Sequence, residues 1–179
     1  MRFVAFLRAI NVGGRNVKME QLRRIFESIG LTNVETVIAS GNVVFDAKAK
    51  SAKTIEKKLQ AHLEKSLGYT VATYVKSMEE VMEIANHKPF KKTPKNGTLF
   101  IAFASDSPSK EAQEKLLSLE SKTDKFYFRD REIYWLCLTR FSDSKFSGPS
   151  LEKTLGVAVT VRGSGTIARI AAKCAITPL

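Results

Sequence analysis

Residues 34–45 read Val34-Glu35-Thr36-Val37-Ile38-Ala39-Ser40-Gly41-Asn42-Val43-Val44-Phe45. Two runs rich in β-branched residues flank Ser40-Gly41-Asn42, and Gly and Asn supply the backbone angles that a tight turn needs. The stretch predicts a hairpin, with a strand over 34–39, a connection at 40–42 and a returning strand over 43–45. Outward on either side the apolar period lengthens. Met19, Leu22, Ile25, Phe26 and Ile29 fall at helical spacing, with Gly30 as the stop. Ile55, Leu59 and Leu63 mark one face of a second helix, closed by Gly68. Farther out, Phe3 to Leu7 and Thr70 to Val75 read as strands. The resulting order is β-α-β-β-α-β.

Ser77 followed by Glu80 forms a capping box, which opens a short helix through Met78, Val81, Met82 and Ala85. Residues 86–97 are a break rich in Lys and Pro. After it the order returns. Leu99 to Phe103 is a strand, and Ser107-Pro108 opens a helix carrying Ala112, Leu116 and Leu119, with Pro at its first position. Lys125 to Arg129 and Glu132 to Leu138 pair across Asp130-Arg131. A short helix is expected over Ser150 to Leu155, a strand over Val157 to Val161, and a terminal helix through Ile167, Ile170, Ala171 and Cys174. The expected fold class is therefore α+β. Two tandem ferredoxin-like (β-α-β-β-α-β) subdomains, over 1–88 and 89–179, each form a two-layer sandwich with helices on one sheet face. The repeat is one of topology; the letters of the two halves do not match.

The composition fits a folded chain: of 179 residues, 44% are hydrophobic and 26% charged, which excludes a disordered protein. Lys and Arg number 29 against 18 Asp and Glu, a net charge of +11. Such a balance favours polyanions but speaks only to non-specific attraction. Cys137 and Cys174 make neither a disulfide framework nor a zinc motif and read as buried small hydrophobes. No apolar run reaches the roughly 18 residues of a membrane span, and the first run is broken by Arg2 and Arg8 with no cleavage site. A soluble, cytoplasmic protein without membrane association is expected.

Three segments carry a resemblance: Val4-Ala5-Phe6-Leu7-Arg8-Ala9-Ile10-Asn11-Val12-Gly13-Gly14, then Met19, Leu22 and Arg23, then Ile38-Ala39-Ser40-Gly41-Asn42-Val43-Val44-Phe45. Together they resemble a bacterial family of uncharacterised proteins, domain-of-unknown-function family 1697, over almost the whole chain. The family pattern opens with Leu-Arg-Gly-Ile-Asn-Val-Gly-Gly, so Ala9 stands at a usual Gly. It closes with Thr-Arg-Asn-Trp, where this chain has Thr160-Val161-Arg162-Gly163-Ser164-Gly165-Thr166. Arg162 matches, while Gly163 and Ser164 stand for the Asn and Trp. The resemblance implies two ferredoxin-like subdomains and no established activity.

Chemistry is concentrated in three loops. Arg8, Asn11, Gly13, Gly14, Arg15 and Asn16 lie between a strand and a helix, where glycines can turn backbone N–H groups toward an anion. The Walker spacing is absent, so this is no P-loop. Ser40, Gly41 and Asn42 fall at the same rim if the first and third strands pair centrally. Arg162, Gly163, Ser164, Gly165 and Thr166 lead into the terminal helix, where Ser164 or Thr166 can cap and an anion can sit. The ligand-binding set expected is Arg8, Asn11, Gly13, Gly14, Asn16, Ser40, Gly41, Asn42, Arg162, Ser164 and Thr166, taking a phosphate, nucleotide or carboxylate.

Lys125 to Arg129 and Glu132 to Leu136 carry aromatics suggestive of an RNA-stacking sheet, but on both faces and without the expected glycine-aromatic run, so they read as core. The lysines at 88, 91, 92 and 95 read as a solvated linker. His62 and His87 have no second ligand at metal spacing, and no nucleophile elbow or carboxylate pair is visible. Asp46 and Glu20 are the nearest acids to the rim. The leading reading is an anion-binding protein; a nucleic-acid-binding module and an enzyme of unknown reaction are the alternatives, and no cofactor is indicated.

Overall fold

Phe3, Ala5 and Leu7 alternate along the first strand and are buried on one face, as a period of two requires. The structure, a computed structural model, describes residues 1–11, 13–49, 51–91, 94 and 97–175, with only the backbone described for Ala39, Ser40, Cys174 and Ala175. It divides into two compact units: Met1–Ile84 together with the chain from Ile170 onward, and Ala85–Arg169.

The first unit runs β1 (Arg2–Leu7), α1 (Met19–Glu27), β2 (Thr32–Val37), β3 (Ala39–Asp46), α2 (Ala52–Leu67), β4 (Thr73–Ser77) and α3 (Met78–Asn86), the last ending just past the unit boundary. Its four strands lie in the order β2-β3-β1-β4, all neighbours antiparallel. Leu22 and Phe26 of α1 and Leu59 and Leu63 of α2 are fully buried in one core with Phe3, Val43 and Phe45. Each such side chain contributes about 1.5–3 kcal/mol relative to exposure. Gly68 ends α2 with φ +76°, and the Ser77–Glu80 box opens α3: the Glu80 amide donates to Ser77 Oγ and the Ser77 amide to Glu80 Oε2.

The second unit runs β5 (Thr98–Ala104), α4 (Lys110–Ser118), β6 (Asp124–Arg129), β7 (Glu132–Cys137), α5 (Gly148–Leu155), β8 (Val159–Gly163) and the first half of α6 (Ser164–Ala175), which from Ile170 counts with the first unit. Its strand order, β6-β7-β5-β8, repeats the first. Phe126, Trp135, Phe146, Leu151 and Leu155 form its core. The aromatic strands thus serve packing, as expected. Cys137 is buried too; the Cys174 side chain lies outside the described residues.

Three local expectations are corrected. The β2–β3 turn is made at Ile38 (φ +69°), so Ser40, Gly41 and Asn42 lie inside β3 and Asn42 stands opposite Phe6. Pairing with β1 extends β3 past the residues that look most like a turn. Ser109, not Ser107, caps α4, by accepting from the Ala112 amide; Pro108 therefore precedes the helix. Finally, β8 runs directly into α6, and the residue before its first turn is Gly163, so neither Ser164 nor Thr166 holds the capping position.

Each unit covers an edge strand with a side chain from a helix. Thr73 and Val75 of β4 point their N–H groups away from β1. Gln60 Oε1 accepts the first at 3.2 Å and Glu56 Oε2 the second at 2.9 Å. In the second unit Glu152 Oε1 on α5 accepts the Val159 amide of β8 at 2.8 Å. A row of open strand donors would otherwise be buried unpaired or left to pair with another chain.

Ala9 adopts φ +56°, in the region that costs a residue with a Cβ roughly 1–2 kcal/mol. This is the position where the resembling pattern carries Gly. Ala9→Gly should raise stability by about 1 kcal/mol, the strain relieved being partly offset by the greater freedom of the unfolded glycine. Thermal melting should show this as a rise of about 2–4 °C; a fall would contradict the strain.

Candidate functional site

In the first unit the side-chain amides of Asn11 and Asn42 are engaged within the chain. Gly13 and Gly14 take φ of +67° and +81°, angles that suit glycine. Asn11 folds onto its own loop: its Oδ1 accepts the Val17 amide at 2.6 Å and its Nδ2 donates to the Val17 carbonyl at 3.4 Å. Tyr69 Oη donates to the Ile10 carbonyl, and the Arg15 guanidinium sits over the Tyr69 ring, 4.1 Å from its centroid. Asn42, buried, donates to the Val37 carbonyl and closes the β2–β3 connection. Gly41 precedes it in β3, next to the end of β1 where Arg8 donates its amide to Ala72. Asn16 is exposed, and the Ser40 side chain lies outside the described residues. Residues 15–18, without regular secondary structure and extended at Lys18, separate Gly13 and Gly14 from α1.

A shallow groove of about 370 Å³ runs along α1, lined by Lys18, Glu20, Arg24 and Ser28. Glu20 is paired with Arg24. Beside the groove Ser28 Oγ lies 2.7 Å from His62 Nε2, a pair 34 residues apart that no linear spacing reveals. Ser28 Oγ also lies 2.8 Å from the Ile25 carbonyl, which can only accept. The single hydroxyl proton goes there, and His62 Nε2–H donates to the oxygen. That polarity is the reverse of an activated nucleophile. Asp46 is likewise occupied, accepting from Asn33 Nδ2 at 2.7 Å.

In the second unit Arg162 turns back along its own strand, donating from Nη1 to Thr160 Oγ1 at 2.8 Å and to the Val161 carbonyl at 2.9 Å. Ser164 has a different setting. It lines a cleft of about 570 Å³ together with Gly165 and Ala168 on the same face of α6. The lining also includes the segment after α3, with His87, Lys88, Phe90 and Lys91, and the start of β5 at Thr98 and Leu99. Thr166, two residues on, is not part of the lining.

Small residues open this cleft. A Cβ added at Gly163 or Gly165 would meet nothing within 4 Å, so packing does not require either glycine. The first turn of α6 is thus left open at both glycines, and a helix start carries partial positive charge. Lys88 and Lys91 are exposed and have no acidic partner among the described residues, and no carboxylate lines the cleft. Lys88 and Lys91, read from sequence as part of a plain linker, thus line the cleft, while Lys92 and Lys95 lie outside the described residues.

His87 is held from behind. Its ring packs on Tyr134 and Tyr127, with centroids 5.0 and 5.4 Å away, and its buried Nε2 has no hydrogen-bond partner among the described residues. Tyr134 is fully buried, and Arg129 is the side chain that approaches its hydroxyl. Burial pushes that phenol up to about 12, Glu132 adds to the rise and Arg129 opposes it. The phenol stays neutral at any physiological pH and acts as a packing surface for the imidazole. No group of three His, Cys, Asp or Glu side chains among the described residues is placed to hold a metal ion.

The model of a family described as protein of unknown function (DUF1697) matches residues 1–134. No curated protein matches the sequence. Among solved structures, the conserved bacterial protein SP0830 from Streptococcus pneumoniae is similar, with a TM-score of 0.72 and 26% identity over 96% of this chain and 97% of that one. The matched segment ends before α6, so one wall of the cleft lies beyond it. No helix among the described residues is long and apolar enough to cross a membrane.

Proposed function

We propose that this chain, which belongs to the DUF1697 family of proteins of unknown function, binds a small anionic ligand in the second-unit cleft. The observation that carries the reading is a hollow lined by two lysines without an acidic partner among the described residues, a serine and a helix start, with no acid in its described lining. An anion seated there would accept from the N–H groups of the first turn of α6 and from Ser164, while Lys88 and Lys91 supply charge. The same reading takes each half as a ferredoxin-like unit, supported by the two matching strand orders. A second seat at Arg8, Asn11, Gly13, Gly14 and Asn16 has less support, because Asn11 is already spent on Val17.

Calorimetric melting in orthophosphate tests this. Near a hundredfold excess over Kd a bound ligand adds about 2.7 kcal/mol, an expected rise of about 5–10 °C for a chain of this size. Lys88→Ala combined with Lys91→Ala should remove most of that rise, whereas Arg8→Ala should keep it. A rise that survives the double substitution would contradict the site.

A further inference from the structure

A central strand of the second sheet runs past its neighbour. Thr98 and Leu99 of β5 pair with Cys137 and Leu136 of β7, whereas pairing with β8 begins only at Phe100, opposite Gly163. N–H groups along β5 alternate in direction. The Ala104 amide donates to Arg131, on the β7 side, and the Ser105 amide to Ala158, on the β8 side. By that alternation the Leu99 N–H lies on the β8 side. There β8 has already ended, since Ser164 belongs to α6. An open rung of strand edge is what an added strand pairs with. Thr98 and Leu99 line the cleft of about 570 Å³ together with Ser164, Gly165, Lys88 and Lys91.

We infer that this cleft takes a short acidic peptide in extended form. The peptide lies beside the start of β5, in line with β8. One of its carbonyls accepts from the Leu99 N–H, and its carboxylate side chains meet Lys88 and Lys91. This rests on the anion-binding reading above and names the ligand of that site. Two observations favour a peptide over a lone inorganic anion. The hollow falls in the size range of sites for whole small molecules. The residues that α6 contributes to it are Ser164, Gly165 and Ala168, so no bulky side chain from that helix fills the place of a strand. The sign of the peptide follows from charge complementarity: the described lining holds two exposed lysines and no acid.

Amide hydrogen exchange and calorimetric titration with three probes separate the parts: acetyl-Glu-Ala-Glu-Ala amide, its counterpart with glutamine for glutamate, and orthophosphate. Near a hundredfold excess of the acidic peptide over Kd, only about one molecule in a hundred is free, so exchange at Leu99 should slow by about a hundredfold. Orthophosphate should leave that exchange nearly unchanged. The glutamine peptide should bind roughly twofold to thirtyfold more weakly, the range of two solvent-screened ion pairs. Lys88→Ala combined with Lys91→Ala should close that gap. Binding of the acidic peptide without protection of Leu99 would overturn the strand addition, and a glutamine peptide that binds as tightly would overturn the acidic assignment. Orthophosphate binding without peptide binding would overturn this inference and leave the anion site standing. Failure of all three to bind would overturn both.

Discussion

Asp124→Ala should cost the second unit about 3–4 kcal/mol, because it strands the buried Trp135 indole N–H and removes the acceptor of the part-buried Ser144 and Thr123 hydroxyls. Asp124 is 2% exposed and sits at the start of β6. Its Oδ1 accepts from Trp135 Nε1 and from Ser144 Oγ, both at 2.8 Å; its Oδ2 accepts from Thr123 Oγ1 at 2.9 Å and lies 3.4 Å from Ser121 Oγ. Neutral donors thus satisfy a buried carboxylate, and the indole is fixed among Phe100, Phe126, Phe141 and Phe146. Removal leaves the indole N–H buried without an acceptor, a penalty of about 1–3 kcal/mol by itself. Urea unfolding followed by the fluorescence of Trp135, the one tryptophan in the chain, reads the loss. Asp124→Asn keeps one acceptor oxygen and should cost less than half as much. A change under about 1 kcal/mol for the alanine variant would mean that the network carries little net energy.

Glu56→Ala and Glu152→Ala should each remove about 2–3 kcal/mol, from different units. Each deletes the acceptor for an outward strand N–H, at Val75 of β4 and Val159 of β8. Glu56 also pairs with Lys53, but that lysine is 43% exposed, and a solvent-screened ion pair contributes about 0–1 kcal/mol. Lys53→Ala should therefore be nearly silent. Glu56→Gln keeps the acceptor and should recover most of the loss. Hydrogen exchange localises the effects: faster exchange in β4 for the first variant and in β8 for the second. A glutamine variant as damaging as alanine would show that charge, not coverage of the strand edge, is what Glu56 provides.

Periodic features were readable along the chain. The helical spacing of Leu22, Ile25 and Phe26, the short apolar runs and the Ser77–Glu80 box each reappear as elements, because a local pattern dictates them. Turn chemistry misled where a neighbour overrode it: Gly41 and Asn42 are good turn formers, yet the ladder to β1 holds them in a strand and moves the turn to Ile38. The likeness of the two edge-strand covers was invisible, since Glu56 and Glu152 serve the same purpose in halves whose letters differ. At the loops, residue type was legible and availability was not. Asn11 looks the same in a sequence whether its amide faces a ligand or its own Val17. Ser164 was recognisable as part of a helix start, whereas the pairing of that start with Lys88 and Lys91 across more than seventy residues depends on chain folding alone.

Amide chemical-shift mapping during titration with orthophosphate tests the anion site most directly, since it reports location as well as binding. Saturable shifts should be largest at Ser164, Gly165, Lys88 and Lys91 and small at residues 13–16. Saturable shifts centred on Gly13 and Gly14, or none at the start of α6, would contradict it.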